Sequence, residues 1–278
     1  MKKPDIALLI LLCFGLLGVS PHITRAGAAP LDGQVEKDAL DHLTLCGMGR
    51  SKKCDIEDAI TLGMFETGLR PSFPAGLTCR DIDEQWAISY TAKRDRVNYH
   101  GGIDMPAPTG TPMIAAADGT VVGKYMGKQT PRGIEVVLRH NPEQTGLGLW
   151  TYTQYAHFSR MPKLEIGQQV KMGEALGPTG NTGISTKTGK QSQKRRPAIH
   201  FAVFYAPTNQ FADTGRGIIP LKGKWMDPNA LYRKNGPFDS AAMKALPKAE
   251  KKIAIPVMLE NGKFIPADTK VIWPYACQ

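Results

Sequence analysis

His100, Gly102 and Asp104 alternate within the run Tyr99-His100-Gly101-Gly102-Ile103-Asp104. In an extended segment alternate side chains share a face, so an imidazole and a carboxylate point the same way across a residue with no side chain. The notch between them is room for a divalent metal ion. A helix would also bring residues four apart together. Two consecutive glycines, with Pro106 and Pro108 just beyond, disfavour a helix here. A His and an Asp four apart are more often a hydrogen-bonded surface pair than a ligand pair, so metal binding depends on a third donor elsewhere.

The chain has six histidines. His22 lies in an apolar leader, His42 in an N-terminal extension, and His140 at the end of an expected strand beside the turn pair Asn141-Pro142. His200 sits in Ala198-Ile199-His200-Phe201-Ala202-Val203-Phe204. Strand alternation puts Ile199, Phe201 and Val203 on one face and Ala198, His200 and Ala202 on the other, where an imidazole can look into a groove. His157 ends a strand in Tyr155-Ala156-His157-Phe158-Ser159.

These residues need a scaffold, and the β-rich stretch from about 83 to 232 supplies one. Runs at 112–117, 120–125, 134–140, 152–157 and 198–205 alternate with Gly, Pro and Asn, as expected for an antiparallel, mainly β domain. Asp118-Gly119 is a hairpin signal between the first two runs. Ahead of this domain, 34–45 has the apolar spacing of a helical turn or two, and Asp55 is placed to cap a second short helix through Leu62. Behind it, Asn261-Gly262 between two short apolar runs predicts a C-terminal β-hairpin with a type I′ turn. The expected organisation is a leader (1–28), a small helical N-terminal extension (29–82), the β domain (83–233) and a C-terminal appendage (234–278) with no site of its own.

The leader carries Lys2 and Lys3, an apolar run from Ile6 to Val19 and then Ala26-Gly27-Ala28, the pattern of a secretory signal peptide. Its apolar run is short for a membrane span, which needs about 20 residues. Removing its three basic residues and one acidic residue takes the net charge from +10 to +8. A basic exported protein can meet nucleic acid, anionic lipid or an acidic wall polymer, and export disfavours intracellular nucleic acid as the partner. Four cysteines remain, Cys46, Cys54, Cys79 and Cys277. An even count in an oxidising compartment points to disulfides. The short loop between Cys46 and Cys54 favours that pair, leaving Cys79 with Cys277. No CxxC spacing offers a cysteine zinc site.

Together these motifs resemble the M23, or LytM-type (lysostaphin-like), zinc metallopeptidases. The resemblance extends through Asp104-Met105-Pro106-Ala107-Pro108-Thr109-Gly110-Thr111-Pro112, Ala115-Ala116-Ala117-Asp118-Gly119-Thr120-Val121, Gly167-Gln168-Gln169-Val170-Lys171-Met172-Gly173 and Gly180-Asn181-Thr182-Gly183-Ile184-Ser185-Thr186. Asp227-Pro228, near Leu231-Tyr232, resembles the end of the domain. The resemblance implies one zinc ion held by His100, Asp104 and His200, and three protein ligands with an open position are what a catalytic zinc needs. It gives His157 a catalytic role, hydrogen-bonded to the attacking water or the developing oxyanion, and it implies peptide bonds of peptidoglycan stems or cross-links as substrate.

Two departures stand out. Ala198 replaces the first His of the family's HxH strand, and losing a positioned acid–base group costs on the order of 10²–10⁴-fold in rate. A basic insertion at 187–196 precedes that strand, and its Arg195 and Arg196 are candidate substrate-binding residues for acidic peptide or polymer groups. The sequence therefore predicts an exported periplasmic or wall-space zinc endopeptidase. The alternatives are a LytM-like domain that binds zinc and wall peptide while regulating other cell-wall hydrolases, and an exported zinc peptidase acting on protein.

Overall fold

Period-two apolar runs pair into one seven-stranded antiparallel sheet. In the computed structural model, which describes residues 30–49, 54–83, 100–127, 130–184, 188–191 and 195–278, its strand order is Lys224–Met226, Ala198–Ala206, Trp150–Ala156, Glu135–His140, Gly119–Tyr125 and Gln169–Val170. The seventh strand, Ile103–Pro106, pairs with the first half of Ala198–Ala206, along the edge whose second half pairs with Lys224–Met226. The leader expected at 1–28 and Tyr99 lie outside the described residues, as do 187 and 192–194 of the basic insertion.

The central strands are buried along nearly their whole length, so both of their faces are covered. Tyr152 stacks on Phe204 at 5.3 Å between ring centres, and Tyr155 meets Phe201 edge-on at the same separation. Such pairs add about 0.5–1.5 kcal/mol beyond the area they bury.

The expected strands are present, but Asp118-Gly119 does not close a hairpin. Pro112–Ile114 pairs with Ala175–Pro178 instead of with Gly119–Tyr125. The Asp118 carboxylate accepts from the Met172 N–H and from Lys171 Nζ. Glycine at 119 answers a close approach, because a Cβ there would lie 2.6 Å from His140 Nδ1. His140 is fully buried and anchors a directed chain of hydrogen bonds. Its Nδ1 donates to the Asp118 carbonyl (2.6 Å), and its Nε2 accepts from the Thr153 hydroxyl (2.8 Å). The Tyr155 hydroxyl lies 3.3 Å from Thr153 Oγ1 and accepts from the Ala116 N–H.

At the N-terminal end the helix spans His42–Gly49 rather than 34–45. Gln34–Val35 is instead a strand parallel to Phe211–Asp213. The Asp41 carboxylate accepts from the Thr44 N–H at 2.8 Å, so the helix starts where its cap lies. Asp55 caps Ile56–Thr61 as expected. Both disulfides form as expected, Cys46–Cys54 and Cys79–Cys277.

The C-terminal hairpin pairs Val257–Met258 with Phe264–Ile265. The Leu259 N–H bonds to the Lys263 carbonyl at 2.8 Å and leaves a three-residue loop, with Gly262 alone in the left-handed region, so the turn is not type I′. Beyond it the tail enters the main core: Trp273, Tyr275 and Cys277 have no exposed surface. The Pro274 carbonyl accepts from Ile114, the Trp273 indole donates to the Arg80 carbonyl, and the Tyr275 hydroxyl lies 2.6 Å from Thr179 Oγ1. No helix among the described residues is long and apolar enough to cross a membrane.

Candidate metal centre

The register of two strands builds the centre. Asp104 on Ile103–Pro106 lies directly across from His200 on Ala198–Ala206. His100 reaches the same point from just ahead of the first strand. Asp104 Oδ1 is 3.1 Å from His100 Nε2 and 2.9 Å from His200 Nδ1, and the two nitrogens are 3.0 Å apart. Two residues four positions apart and a third about a hundred further along thus present their donor atoms as one small triangle.

The notch at Gly102 has a different use from the one its sequence suggests. A Cβ there would stand 2.7 Å from His200 Nε2 and 2.6 Å from the Phe201 carbonyl oxygen. The missing side chain admits the edge of the His200 ring, which turns Nδ1 onto His100 and Asp104. The glycine seats the third donor rather than the ion.

Two imidazole nitrogens and one carboxylate oxygen are a donor set that suits zinc. A tetrahedral ion with bonds of about 2.0–2.1 Å holds its ligand atoms roughly 3.3 Å apart, close to the triangle here. Burial by itself would raise the Asp104 carboxyl, but the charge and hydrogen bonds of His100 and His200 outweigh it and hold the group well below the usual carboxylate range. The ligand oxygen is therefore anionic at neutral pH. The side chains of Asp104 and His200 are 9% and 6% exposed against 13% for His100, so the centre opens beside His100.

His157 stands across from this triangle, its ring centre 5.8 Å from that of His200. It lies one residue past Trp150–Ala156 with φ at 71°, in the left-handed region where a non-glycine residue costs about 1–3 kcal/mol. Nδ1 donates to the Thr182 carbonyl at 2.8 Å, which fixes the tautomer and leaves the Nε2 lone pair as the acceptor. Thr182 is tied in turn to the Phe158 carbonyl and the Ile134 N–H. Burial, reinforced by the Arg195 charge, pushes the His157 imidazole well below its ordinary range, so it rests neutral.

The two candidate arginines part company. Arg195 is half-buried: its Nη2 donates to His157 Nε2 and its Nη1 to the Pro131 carbonyl at 3.0 Å. Arg196 is exposed and pairs with Asp83, whose N–H donates to the Asp104 carbonyl at 3.1 Å. Ala198 is buried two residues before His200, its N–H bonded to the Gly180 carbonyl. The sequence did not reveal Thr182 as the group that orients His157, nor that Arg195 enters the centre. The charge run was visible, but nothing in it distinguishes an inward guanidinium from a solvated one.

The sequence profile described as peptidase family M23 matches residues 98–213, a span that contains the triangle, His157, Arg195 and Ala198. That match covers 116 of the chain's 278 residues. The matched region is similar to the DD-carboxypeptidase/endopeptidase Mpg of Neisseria meningitidis, 40% identical over 42% of this chain and 22% of that one. It is similar to the peptidoglycan DD-endopeptidase ShyA of Vibrio cholerae (34% identical, 38% of this chain, 24% of that one). It also resembles the cell division protein DipM of Caulobacter vibrioides (34% identical, 46% of this chain, 17% of that one). The match thus spans about a fifth of the length of these curated relatives. Among solved structures, the catalytic domain of lysostaphin from Staphylococcus simulans aligns at 24% identity over 51% of this chain and 80% of that one, with a TM-score of 0.32. A zinc-containing peptidase from Vibrio cholerae aligns at 24% identity over 53% and 38%, with a TM-score of 0.36.

Proposed function

We propose that this M23 protein is an exported zinc-dependent endopeptidase that hydrolyses peptide bonds in the stems or cross-links of peptidoglycan. The observation that carries this is the convergence of His100 Nε2, Asp104 Oδ1 and His200 Nδ1 within 3.1 Å of one another in a mostly buried corner. Bound there, zinc supplies Lewis-acid polarisation of a carbonyl and brings the pKa of a coordinated water to about 7. The relatives whose names specify peptidoglycan endopeptidase activity support the substrate class.

The chain's own residues supply the rest. His157 presents a neutral Nε2 lone pair and is the base that accepts a proton from the attacking water, with the Thr182 carbonyl keeping its tautomer correct. Asp104 holds negative charge against both imidazoles. Arg196 lies at the rim, where an exposed ion pair of about 0–1 kcal/mol exchanges readily for an acidic substrate group. The leader at 1–28 and two disulfides support an oxidising, extracytoplasmic location in the periplasm or wall space. In this arrangement 29–82 and 234–278 flank the peptidase domain at 83–233.

Ala198 favours a second function, a domain that holds zinc and wall peptide while regulating other hydrolases. The two differ in one assay. The zinc-loaded protein is incubated with purified sacculi, and both released peptides and sacculus-bound protein are measured. Peptide release supports the endopeptidase; binding without release supports the regulator.

A further inference from the structure

We propose that Arg195 is a catalytic residue whose guanidinium stabilises the negative charge developing on the scissile carbonyl oxygen, in place of the imidazole that Ala198 lacks. This rests on the endopeptidase function proposed above. Position is the first support. Arg195 lies three residues before Ala198 on the same approach to the ligand strand, and its Nη2 meets His157 Nε2, the catalytic face of that ring. Anchoring is the second: Nη1 is held by the Pro131 carbonyl, and the Arg195 carbonyl accepts from Asn181 Nδ2 at 3.1 Å. The chain just ahead of the ligand strand is thus fixed at Arg195, while its neighbour Arg196 pairs outward with Asp83.

The chemistry fits. A guanidinium carries five N–H donors and stays protonated, so it needs no proton supplied before it can meet an oxyanion. In the substrate-free protein it occupies the His157 lone pair. As a water oxygen bonds to the carbonyl carbon, the π pair moves onto the carbonyl oxygen and a water proton passes to His157 Nε2. Arg195 leaves Nε2 for that oxygen, because a hydrogen bond to an anion is roughly twice as strong as one to a neutral acceptor. The pair then returns to re-form the carbonyl, the C–N bond breaks, and the amine nitrogen takes the proton from His157. One side chain thereby frees the base as it stabilises the charge.

The test compares wild type, Arg195→Gln and Arg195→Lys as zinc-loaded full-length proteins. Calorimetric titration with inorganic phosphate, a tetrahedral anion, accompanies sacculus hydrolysis. Arg195→Gln is expected to keep its zinc, to bind phosphate at least about 10-fold more weakly, and to lose about 10²–10³ in kcat with KM little changed. Arg195→Lys keeps the charge but not the fork and falls between the two. Unchanged phosphate affinity and kcat in both variants, or a kcat that rises when the guanidinium is removed, would overturn the assignment. A wild type that leaves sacculi intact sinks the endopeptidase function itself; a wild type that cuts beside an equally active Arg195→Gln sinks only the role of Arg195.

Discussion

The two walls of the centre are built differently. The ligand wall stands on regular structure, with Asp104 and His200 in cross-strand register inside the main sheet. The opposite wall is made of irregular backbone: His157 at positive φ, the Thr182 carbonyl that orients it, and Arg195 arriving from the basic insertion. A metal site needs donor atoms fixed to a few tenths of an ångström, which paired strands supply. Proton handling and charge stabilisation need groups that exchange partners during a reaction, which loops allow. The difference teaches where this chain can vary while keeping its three candidate donors. Ala198 stands on the ligand strand itself, two residues before His200, and leaves all three donors in place.

The sharpest way to break the comparison is at the ligand wall. Asp104→Ala is expected to remove stoichiometric zinc and to lower any hydrolysis by more than about 10³-fold, checked by metal analysis beside the sacculus assay. Gly102→Ala should act almost as strongly, since its methyl would stand against the His200 ring and displace the third donor. Retained zinc in Gly102→Ala would show that the ring does not need that space. Facing the irregular wall from the ligand strand, Ala198→His added to Arg195→Gln is expected to recover at least about 10-fold in kcat by restoring an imidazole donor, with zinc content unchanged throughout. No recovery would mean that position 198 does not face the reacting carbonyl.

The contrast between the walls also explains what could be read from the chain. Strand alternation placed His100 and Asp104 on one face and turned His200 away from the core face of its own strand, and the β-rich runs appear close to their expected positions. Grouping the three as one ligand set took the resemblance to M23 peptidases, because the register that joins them is tertiary. Thr182 acts through a backbone carbonyl, which carries no residue signature. Arg195 and Arg196 are identical in type and adjacent, and only tertiary contacts separate the inward one from the outward one. Asp118-Gly119 had the local chemistry of a hairpin, but the packing of His140 used the glycine for a different purpose. Likewise 234–278 reads as an appendage stapled by Cys277, yet Trp273 and Tyr275 are drawn wholly into the main core.

Smaller effects probe the support behind both walls. Burial pushes the His140 imidazole down to about 4, even though the Asp118 carbonyl and charge favour its protonation. Because its folded-state value lies below the ordinary 6.5, the neutral imidazole stabilises the fold above about pH 6.5. That contribution is lost as pH falls towards 4, and it amounts to about 3 kcal/mol. Denaturant unfolding of wild type and His140→Gln between pH 7 and pH 4 reads it, and the variant should flatten this stretch of the curve. Tyr275→Phe removes the hydroxyl that meets Thr179 and is expected to cost about 1 kcal/mol in the same assay while leaving zinc content intact.

The most direct measurement of the central claim is the appearance of new amine termini when zinc-loaded protein is incubated with purified sacculi, with the released peptides identified by mass spectrometry. The account predicts new termini within stem or cross-link peptides, absent after chelation and absent with Asp104→Ala. Intact sacculi in the presence of protein carrying one zinc per chain would contradict it.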